Sequence, residues 1–193
     1  MEVVMVRLFL YGRRAAGKST VAAFLSEAGA RVYKLSDPLY RIARELFGMK
    51  GKDRCLLQVL GDKLREIDPE CLLNHFVLRL YTEGPQFAVV EDVRLLHEAE
   101  RLRALGFLGV LVKAADAARS SRLRARGEDV RPEEDGHRTE AEVDLIVPDA
   151  VIDNSGTLKD LRKATAALLG ELVYRQVARR APGQRAECLA WNR

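Results

Sequence analysis

Residues 12–19 read Gly-Arg-Arg-Ala-Ala-Gly-Lys-Ser and fit the pattern G-x-x-x-x-G-K-[ST], a loop whose backbone amides wrap the phosphates of a nucleotide. Its two outer glycines, Gly12 and Gly17, allow backbone angles and close approaches that a Cβ atom blocks. Lys18 brings a positive charge to the β- and γ-phosphates, and Ser19 is the expected magnesium ligand. The octet follows an apolar run and precedes a helical pattern, so the sequence predicts strand, loop and helix in that order.

Apolar runs with β-branched residues recur along the chain and are separated by amphipathic stretches. Such alternation argues for a parallel sheet between layers of helices, with ligands bound beyond the carboxyl ends of the strands. The fold class is therefore predicted as α/β, a three-layer α/β/α arrangement around a five-stranded parallel sheet. The predicted strands are 3–10, 30–35, 86–90, 108–112 and 150–152.

The length of 193 residues, with 48% hydrophobic and 31% charged residues, fits a single globular domain with its own core. No apolar run approaches the roughly 18 residues that indicate a membrane span, and the amino terminus lacks the basic region of a secretory signal. Cys55, Cys71 and Cys188 show no C-x-x-C spacing and no nearby histidine cluster, which favours a reduced chain. We therefore expect a cytoplasmic protein without a membrane partner.

The net charge of +4 is concentrated at the carboxyl end of the chain. Residues 171–193 hold five arginines against two glutamates, so the rest of the chain is almost neutral. A nucleic-acid binder needs a concentrated basic face, and we expect no nucleic-acid partner. The sequence thus predicts a folded domain over 1–173 and a basic tail over 174–193.

The end of the second predicted strand carries Ser36-Asp37-Pro38, an N-cap candidate followed by proline near the first helical position. The helix is predicted to run to Phe47, with Arg41 one turn from its start. A helix N-terminus and a guanidinium group both favour dianionic oxygens, which makes Asp37 and Arg41 candidates for a substrate phosphate site. Helix capping and a solvated face are the alternative.

The next helix has an apolar stripe on one side and a group of polar residues on the other, and Gly61 lies among the polar residues. Glycine costs about 1 kcal/mol in a helix interior relative to alanine, so we expect a nucleobase or sugar to pack close to this backbone. An ordinary solvated face is the alternative. The stripe is Leu56, Leu57, Leu60 and Leu64, and the polar group is Arg54, Gln58, Asp62 and Arg65.

The third strand ends directly in Glu91-Asp92-Val93-Arg94. A carboxylate at this position, Asp92, can orient the water shell of a metal ion across from Ser19. Arg94 is a candidate to bind the phosphoryl acceptor or the transferred group.

The segment after the fourth strand, about 115–143, is predicted to be a helical lid. Arg122 and Arg126 lie one helical turn apart, and two guanidinium groups there can close over a triphosphate and exclude water. Five acidic residues alternate with the arginines of 119–138, so a solvated, salt-bridged helix is the alternative.

Together with the octet, four short motifs give the chain its family resemblance: Ser36-Asp-Pro-Leu-Tyr-Arg, Leu57-Gln-Val-Leu-Gly-Asp-Lys-Leu-Arg, Glu91-Asp-Val-Arg and Asp153-Asn-Ser-Gly. Over residues 5–172 it resembles the P-loop nucleoside monophosphate kinases. Within them it is most similar to the deoxynucleoside monophosphate kinases, with dephospho-CoA kinase as a near relative. His137 and Glu140 match a His-x-Ser-Glu pattern of that family, with threonine in place of serine.

The resemblance implies a P-loop NTPase fold with a helical lid, ATP and Mg²⁺ as cofactors, and a small-molecule phosphate acceptor, a ribo- or deoxynucleoside monophosphate. It implies Lys18, Asp92, Arg122 and Arg126 as catalytic residues and Ser19 and Asp92 as the metal site. The acceptor side would be Asp37, Arg41, Gln58, Arg65 and Arg94. The ATP site would be Gly12, Arg13, Arg14, Ala15, Ala16, Gly17, Lys18, Ser19, Thr20 and Asn154.

Other functions share the octet. A regulatory GTPase also needs an early D-x-x-G and an N-K-x-D motif; the sole D-x-x-G is 153–156 and no N-K-x-D occurs. Dephospho-CoA kinase, another small-metabolite kinase such as phosphomevalonate kinase, and a nucleotide-binding module without turnover stay open. The chain is expected to act as a monomer or homodimer.

Overall fold

The computed structural model describes residues 5–127 and 142–180, with side chains as far as residue 174. As the sequence predicts, helices separate each strand from the next along the chain. The elements are β1 (Val6–Tyr11), α1 (Lys18–Glu27), β2 (Arg31–Tyr33), α2 (Asp37–Phe47), α3 (Arg54–Ile67), α4 (Cys71–Glu83), β3 (Phe87–Val90), α5 (Leu96–Ala104), β4 (Leu108–Lys113), α6 (Asp116–Ala125), β5 (Ala150–Asp153) and α7 (Leu158–Arg180).

The five strands form one parallel sheet in the order β2-β3-β1-β4-β5. Val90 of β3 pairs with Phe9 of β1 on one side and with Tyr33 of β2 on the other, so these three strands end at the same edge. The octet follows the central strand, and the β2 and β3 ends lie on one side of it. Neighbouring strands lie about 4.8 Å apart, which places the polar strand ends within about 10 Å of the loop.

Side chains on β1 alternate between the two faces of the sheet. Leu8 and Leu10 pack with α1 and α7 in one buried cluster. Phe9 and Tyr11 pack with residues of α4 and α5 in a second cluster. Helices therefore cover both faces, and the predicted three-layer α/β fold is confirmed.

Two details at the helix ends differ from the simplest expectation. Ser36 is the N-cap residue of α2, but its hydroxyl accepts no capping hydrogen bond and donates to Asp92. Helix α7 continues to Arg180, past the predicted start of the tail at 174. The lid positions His137 and Glu140 and the chain from 181 onward lie outside the described residues.

Among the helices that the structure describes, none combines the length and the apolar character that crossing a membrane requires.

Candidate functional site

The octet forms a loop whose backbone requires its glycines. Gly12 and Gly17 have φ angles of 135° and 104°, which L side chains rarely adopt. A Cβ atom on Gly12 would clash with the carbonyl of Val112 in β4, and one on Gly17 would clash with the Asn154 side-chain amide after β5. The loop is therefore pressed against the ends of two strands, with no room for side chains at these two positions.

Carbonyls of the octet accept hydrogen bonds from Lys18, within the octet, and from Asn154, at the end of β5. The Lys18 Nζ atom donates to the carbonyls of Gly12, at 2.5 Å, and Arg13, at 3.1 Å, so the ammonium group lies across the loop. Asn154 is buried and donates through Nδ2 to the Ala16 carbonyl at 2.8 Å. Asn154, which the resemblance assigns to the ATP site, therefore contacts the octet directly.

The two predicted lid arginines occupy different surroundings. Arg122 donates to the carbonyls of Ala15, at 3.3 Å, and Asn154, at 2.7 Å. Arg126 follows the last residue of α6 and its side chain is exposed. The structure therefore attaches Arg122 to the carbonyl side of the loop, whereas phosphate binding uses the amides.

Residues 142–146, which include the end of the predicted lid, are attached to the octet, to β1 and to α5. Arg13 of the octet forms an ion pair with Asp144 at 2.6 Å. Ile146 accepts a hydrogen bond of 3.0 Å from the hydroxyl of Tyr11, and burial raises the pKa of Tyr11 to about 12. The Glu142 carboxylate accepts from the amide of Leu96, the first residue of α5. A cleft of about 230 Å³ opens here between the octet, the end of β4 and α6.

Asp92 fixes the turn between β2 and α2. Its carboxylate accepts from the amides of Leu35, at 2.8 Å, and Ser36, at 3.1 Å, and from the Ser36 hydroxyl at 2.6 Å. The neighbouring Glu91 is buried and forms an ion pair of 2.8 Å with Lys34, and this hydrogen bond raises the pKa of Lys34. The carboxylates after β3 thus hold the residues between β2 and α2 in place.

Asp37 lies within a basic group of which the sequence predicted only Arg41. Its carboxylate pairs with Arg79 of α4 at 3.1 Å, and Arg79 also stacks over the Tyr33 ring at 5.2 Å. His75 lies close enough to Arg41 and Arg79 that both cations lower its pKa, in addition to the larger effect of burial. Arg41 itself is exposed, so a basic surface surrounds the start of α2.

Arg65 is held by Glu98, which no local pattern marks as functional beyond its helical position. Glu98 is 3% exposed; one oxygen accepts from the amides of Arg94 and Leu95 at 3.1 Å, and the other meets Arg65 Nη2 at 3.3 Å. Burial raises the pKa of Glu98, while the two amides and Arg65 oppose that shift. The contact ties the predicted acceptor residue Arg65 to the backbone of the predicted acceptor residue Arg94.

The same guanidinium group accounts for Gly61. A Cβ atom on Gly61 would lie 3.0 Å from Arg65 Nη1 and 3.4 Å from a methyl carbon of Leu39 in α2. The backbone is approached by these side chains, so helix packing explains the glycine without the nucleobase or sugar that we expected. Gln58, one turn before Gly61, is exposed.

The donor set fits a magnesium ion that is held mainly by phosphate oxygens. Within residues 5–127 and 142–180, no group of three or more His, Cys, Asp or Glu side chains could hold a metal. Mg²⁺ in phosphoryl-transfer sites needs only one or two protein ligands beside phosphates and water. Ser19, in the first turn of α1, and Asp92, whose carboxylate keeps one acceptor position, carry oxygen atoms of the type that Mg²⁺ binds.

Comparisons with solved structures agree with this architecture. The structure of TT1252 from Thermus thermophilus matches with a TM-score of 0.58 and 29% identity over 87% of this chain and 98% of that one. A dephospho-CoA kinase from Campylobacter jejuni matches at 0.54 and 15% identity over 88% and 98%. A sugar kinase from Janibacter sp. HTCC2649 matches at 0.52 and 15% identity over 86% and 95%. At 15% identity the likeness concerns the fold alone.

A search of curated proteins found no significant match. A family described as "AAA domain" matches residues 8–143, a segment that runs from β1 and the phosphate loop through β4 and α6. Since that segment covers well over half of the sequence and the whole loop, the chain belongs to the AAA domain family.

Proposed function

We propose that the protein transfers the γ-phosphate of MgATP to the phosphate of a ribo- or deoxynucleoside monophosphate. The observation that supports this most is the layout of the sheet edge. A phosphate loop follows the central strand, and Asp92, one strand away, holds the turn that starts the basic surface around Asp37. Two anionic groups can therefore bind side by side at one edge.

The donor side is the octet with Thr20 and Asn154. Lys18 would exchange its contacts with the loop carbonyls for the β- and γ-phosphates. Ser19 and Asp92 would hold Mg²⁺, which when bound neutralises charge on the β- and γ-oxygens. Arg126 is the lid arginine that we propose for the transferred phosphoryl group, since its side chain is exposed at the end of α6.

The acceptor side comprises Asp37, Arg41, Gln58, Arg65 and Arg94. Arginine forks bind the dianionic oxygens of a phosphate in two parallel hydrogen bonds. Asp92 fixes the backbone of the turn before α2, and Glu98 holds the guanidinium group of Arg65. Since phosphoryl transfer requires positioning and charge stabilisation more than covalent chemistry, such fixed groups supply most of what the reaction needs.

Several other classes of phosphate acceptor are alternatives to a nucleoside monophosphate. The fold is shared with a dephospho-CoA kinase and a sugar kinase, so these acceptor classes belong in the same assay. Phosphomevalonate belongs there as a further phosphate acceptor.

A coupled assay for ADP release tests the proposal. ATP is offered with ribo- and deoxynucleoside monophosphates, dephospho-CoA, phosphomevalonate and sugars, and we expect turnover with a nucleoside monophosphate. Lys18→Ala should lose turnover by orders of magnitude with an unchanged circular dichroism spectrum, whereas Lys163→Ala, an exposed lysine on α7, serves as the matched control. Near-normal transfer by Lys18→Ala would contradict the assignment, and silence across the panel would favour a binding module.

A further inference from the structure

The backbone carbonyls of the phosphate loop are hydrogen-bonded by side chains over five consecutive residues. Lys18 binds the first two, those of Gly12 and Arg13. The next three are bound from outside the loop. Arg119 Nε donates to Arg14 at 2.9 Å, Arg122 to Ala15 at 3.3 Å, and Asn154 to Ala16 at 2.8 Å.

The three outside donors are themselves held in place. Arg119 is 7% exposed and pairs with Asp116 at 2.7 Å, one helical turn earlier. Asn154 is 6% exposed, and its own backbone is joined to β4 by a hydrogen bond to Lys113. Arg122 donates its second nitrogen to the Asn154 carbonyl at 2.7 Å, which links α6 to the end of β5.

A peptide group carries its N–H and its C=O on opposite sides, so fixing the carbonyl also fixes where the amide points. Successive N–H groups directed to one side form a concave anion site. A hydrogen bond that a carbonyl accepts from a charged guanidinium group is also stronger than one between neutral groups. Arg119 and Asn154 thereby direct the amides of Ala15 and Gly17 away from the bound carbonyls, toward the phosphate side. The amide of Ala16, in the peptide group that Arg122 holds, instead donates to the Arg13 carbonyl at 3.2 Å, so Arg122 supports the turn within the loop.

We propose that Arg119, Arg122 and Asn154 are positioning residues that hold the phosphate loop open for nucleotide by binding its outward carbonyls. This gives Arg122 a role different from the lid arginine that the sequence predicts. It also assigns a role to Arg119, which the sequence did not single out. The inference rests only on the nucleotide-binding half of the proposed function.

The two roles of Arg122 lead to different measurements. If Arg122 is a lid arginine that contacts the transferred phosphoryl group, its replacement lowers kcat and leaves the affinity for ADP nearly unchanged, because ADP lacks that group. If Arg122 is a positioning residue, its replacement lowers the affinities for ADP and ATP equally and leaves the KM of the acceptor unchanged. Only in the second case does the replacement also change the loop in the nucleotide-free protein.

The test uses the full chain with Arg119→Lys, Arg122→Lys and Arg119→Ala, and Arg124→Ala as control, since Arg124 is exposed on the same helix. Lysine keeps the charge but loses the planar fork of donors. Calorimetry measures the affinities for ADP and for a non-hydrolysable ATP analogue. NMR spectra of the nucleotide-free protein record the amide resonances of Gly12, Gly17 and Lys18. We expect both affinities to fall about tenfold or more and the resonances to move, with the control unchanged.

Unmoved loop resonances with ADP affinity within about twofold of wild type, in both lysine variants, would overturn the proposal. Loss of kcat alone in Arg122→Lys would return that residue to the lid. If Arg119→Ala does not fold, the two lysine variants decide. A protein that binds ADP but phosphorylates nothing in the panel would refute the proposed transfer reaction and leave this test intact.

Discussion

Glu98 is the residue whose replacement separates stability from acceptor binding most clearly. Its carboxylate is almost completely buried, accepts from two backbone amides at the start of α5 and contacts Arg65. Alanine removes all three contacts. Glutamine keeps an oxygen for the amides and places an NH2 donor opposite Arg65, which removes both the negative charge and the acceptor that faces Arg65.

The expected magnitudes follow from these contacts. A buried amide without an acceptor costs about 1–3 kcal/mol, and the amide of Leu95 is buried while that of Arg94 is partly buried. Glu98→Ala should therefore lower the free energy of unfolding by about 2–5 kcal/mol, a large share of the 5–15 kcal/mol of an ordinary domain. For a chain of this length the melting temperature should fall on the order of 10 °C.

Glu98→Gln should lower the free energy of unfolding by less than Glu98→Ala, because the two amides keep their acceptor and only the contact with Arg65 is lost. The KM of the acceptor should nevertheless rise, since Arg65 loses the charge that orients it, while the KM of ATP stays constant. Urea denaturation and steady-state kinetics on both variants measure these two effects separately. Glu100→Ala, on the exposed side of α5, is the control.

The same carboxyl group predicts a pH dependence. Burial raises the pKa of Glu98 in the folded protein, so the folded state holds the proton more tightly than the unfolded state. Wild type should lose stability relative to Glu98→Gln as the pH rises from the ordinary glutamate range, about 4.3, through the raised pKa, and the difference should then be constant. Equal effects of Glu98→Ala and Glu100→Ala, or a Glutamine variant as damaged as the alanine variant, would refute this reasoning.

Three further predictions concern the loop and its surroundings. Arg94→Ala should raise the KM of the acceptor far more than that of ATP, and equal changes would remove Arg94 from the acceptor site. Gly17→Ala should abolish ADP binding in calorimetry because the φ angle of 104° excludes a side chain, whereas Gly170→Ala in α7, where a Cβ meets open space, should bind normally. Tyr11→Phe should lose about 1 kcal/mol in urea denaturation through the hydrogen bond to Ile146, and no measurable loss would contradict that value.

Local patterns in the sequence were sufficient for the sheet and the loop. Apolar runs predicted all five strands to within a few residues, because strand formation depends on neighbours along the chain and on burial of the run. The glycines of the octet were also predictable, since the backbone angles of this loop admit few other residues. The order of the strands in the sheet and the helices that cover each face were not.

The roles of the polar residues were decided by contacts between distant parts of the chain. Asp92 was predicted for a metal and Asp37 for a phosphate, yet the structure engages the first with the β2–α2 turn and the second with Arg79, 42 residues away. The position of a carboxylate directly after a strand predicts that it lies at the edge of the sheet. It does not indicate which hydrogen-bond donors on another helix contact that carboxylate.

By itself the sequence determined an α/β protein with a phosphate loop after its first strand, because helix and strand periods and the octet are properties of short segments. Only the tertiary structure decided which side chains hold that loop and its neighbours. Arg119 reaches a carbonyl 105 residues before it, and Arg65 meets Glu98 across 33 residues. Such pairs depend on how helices pack on the sheet, and no local pattern in the chain encodes that packing.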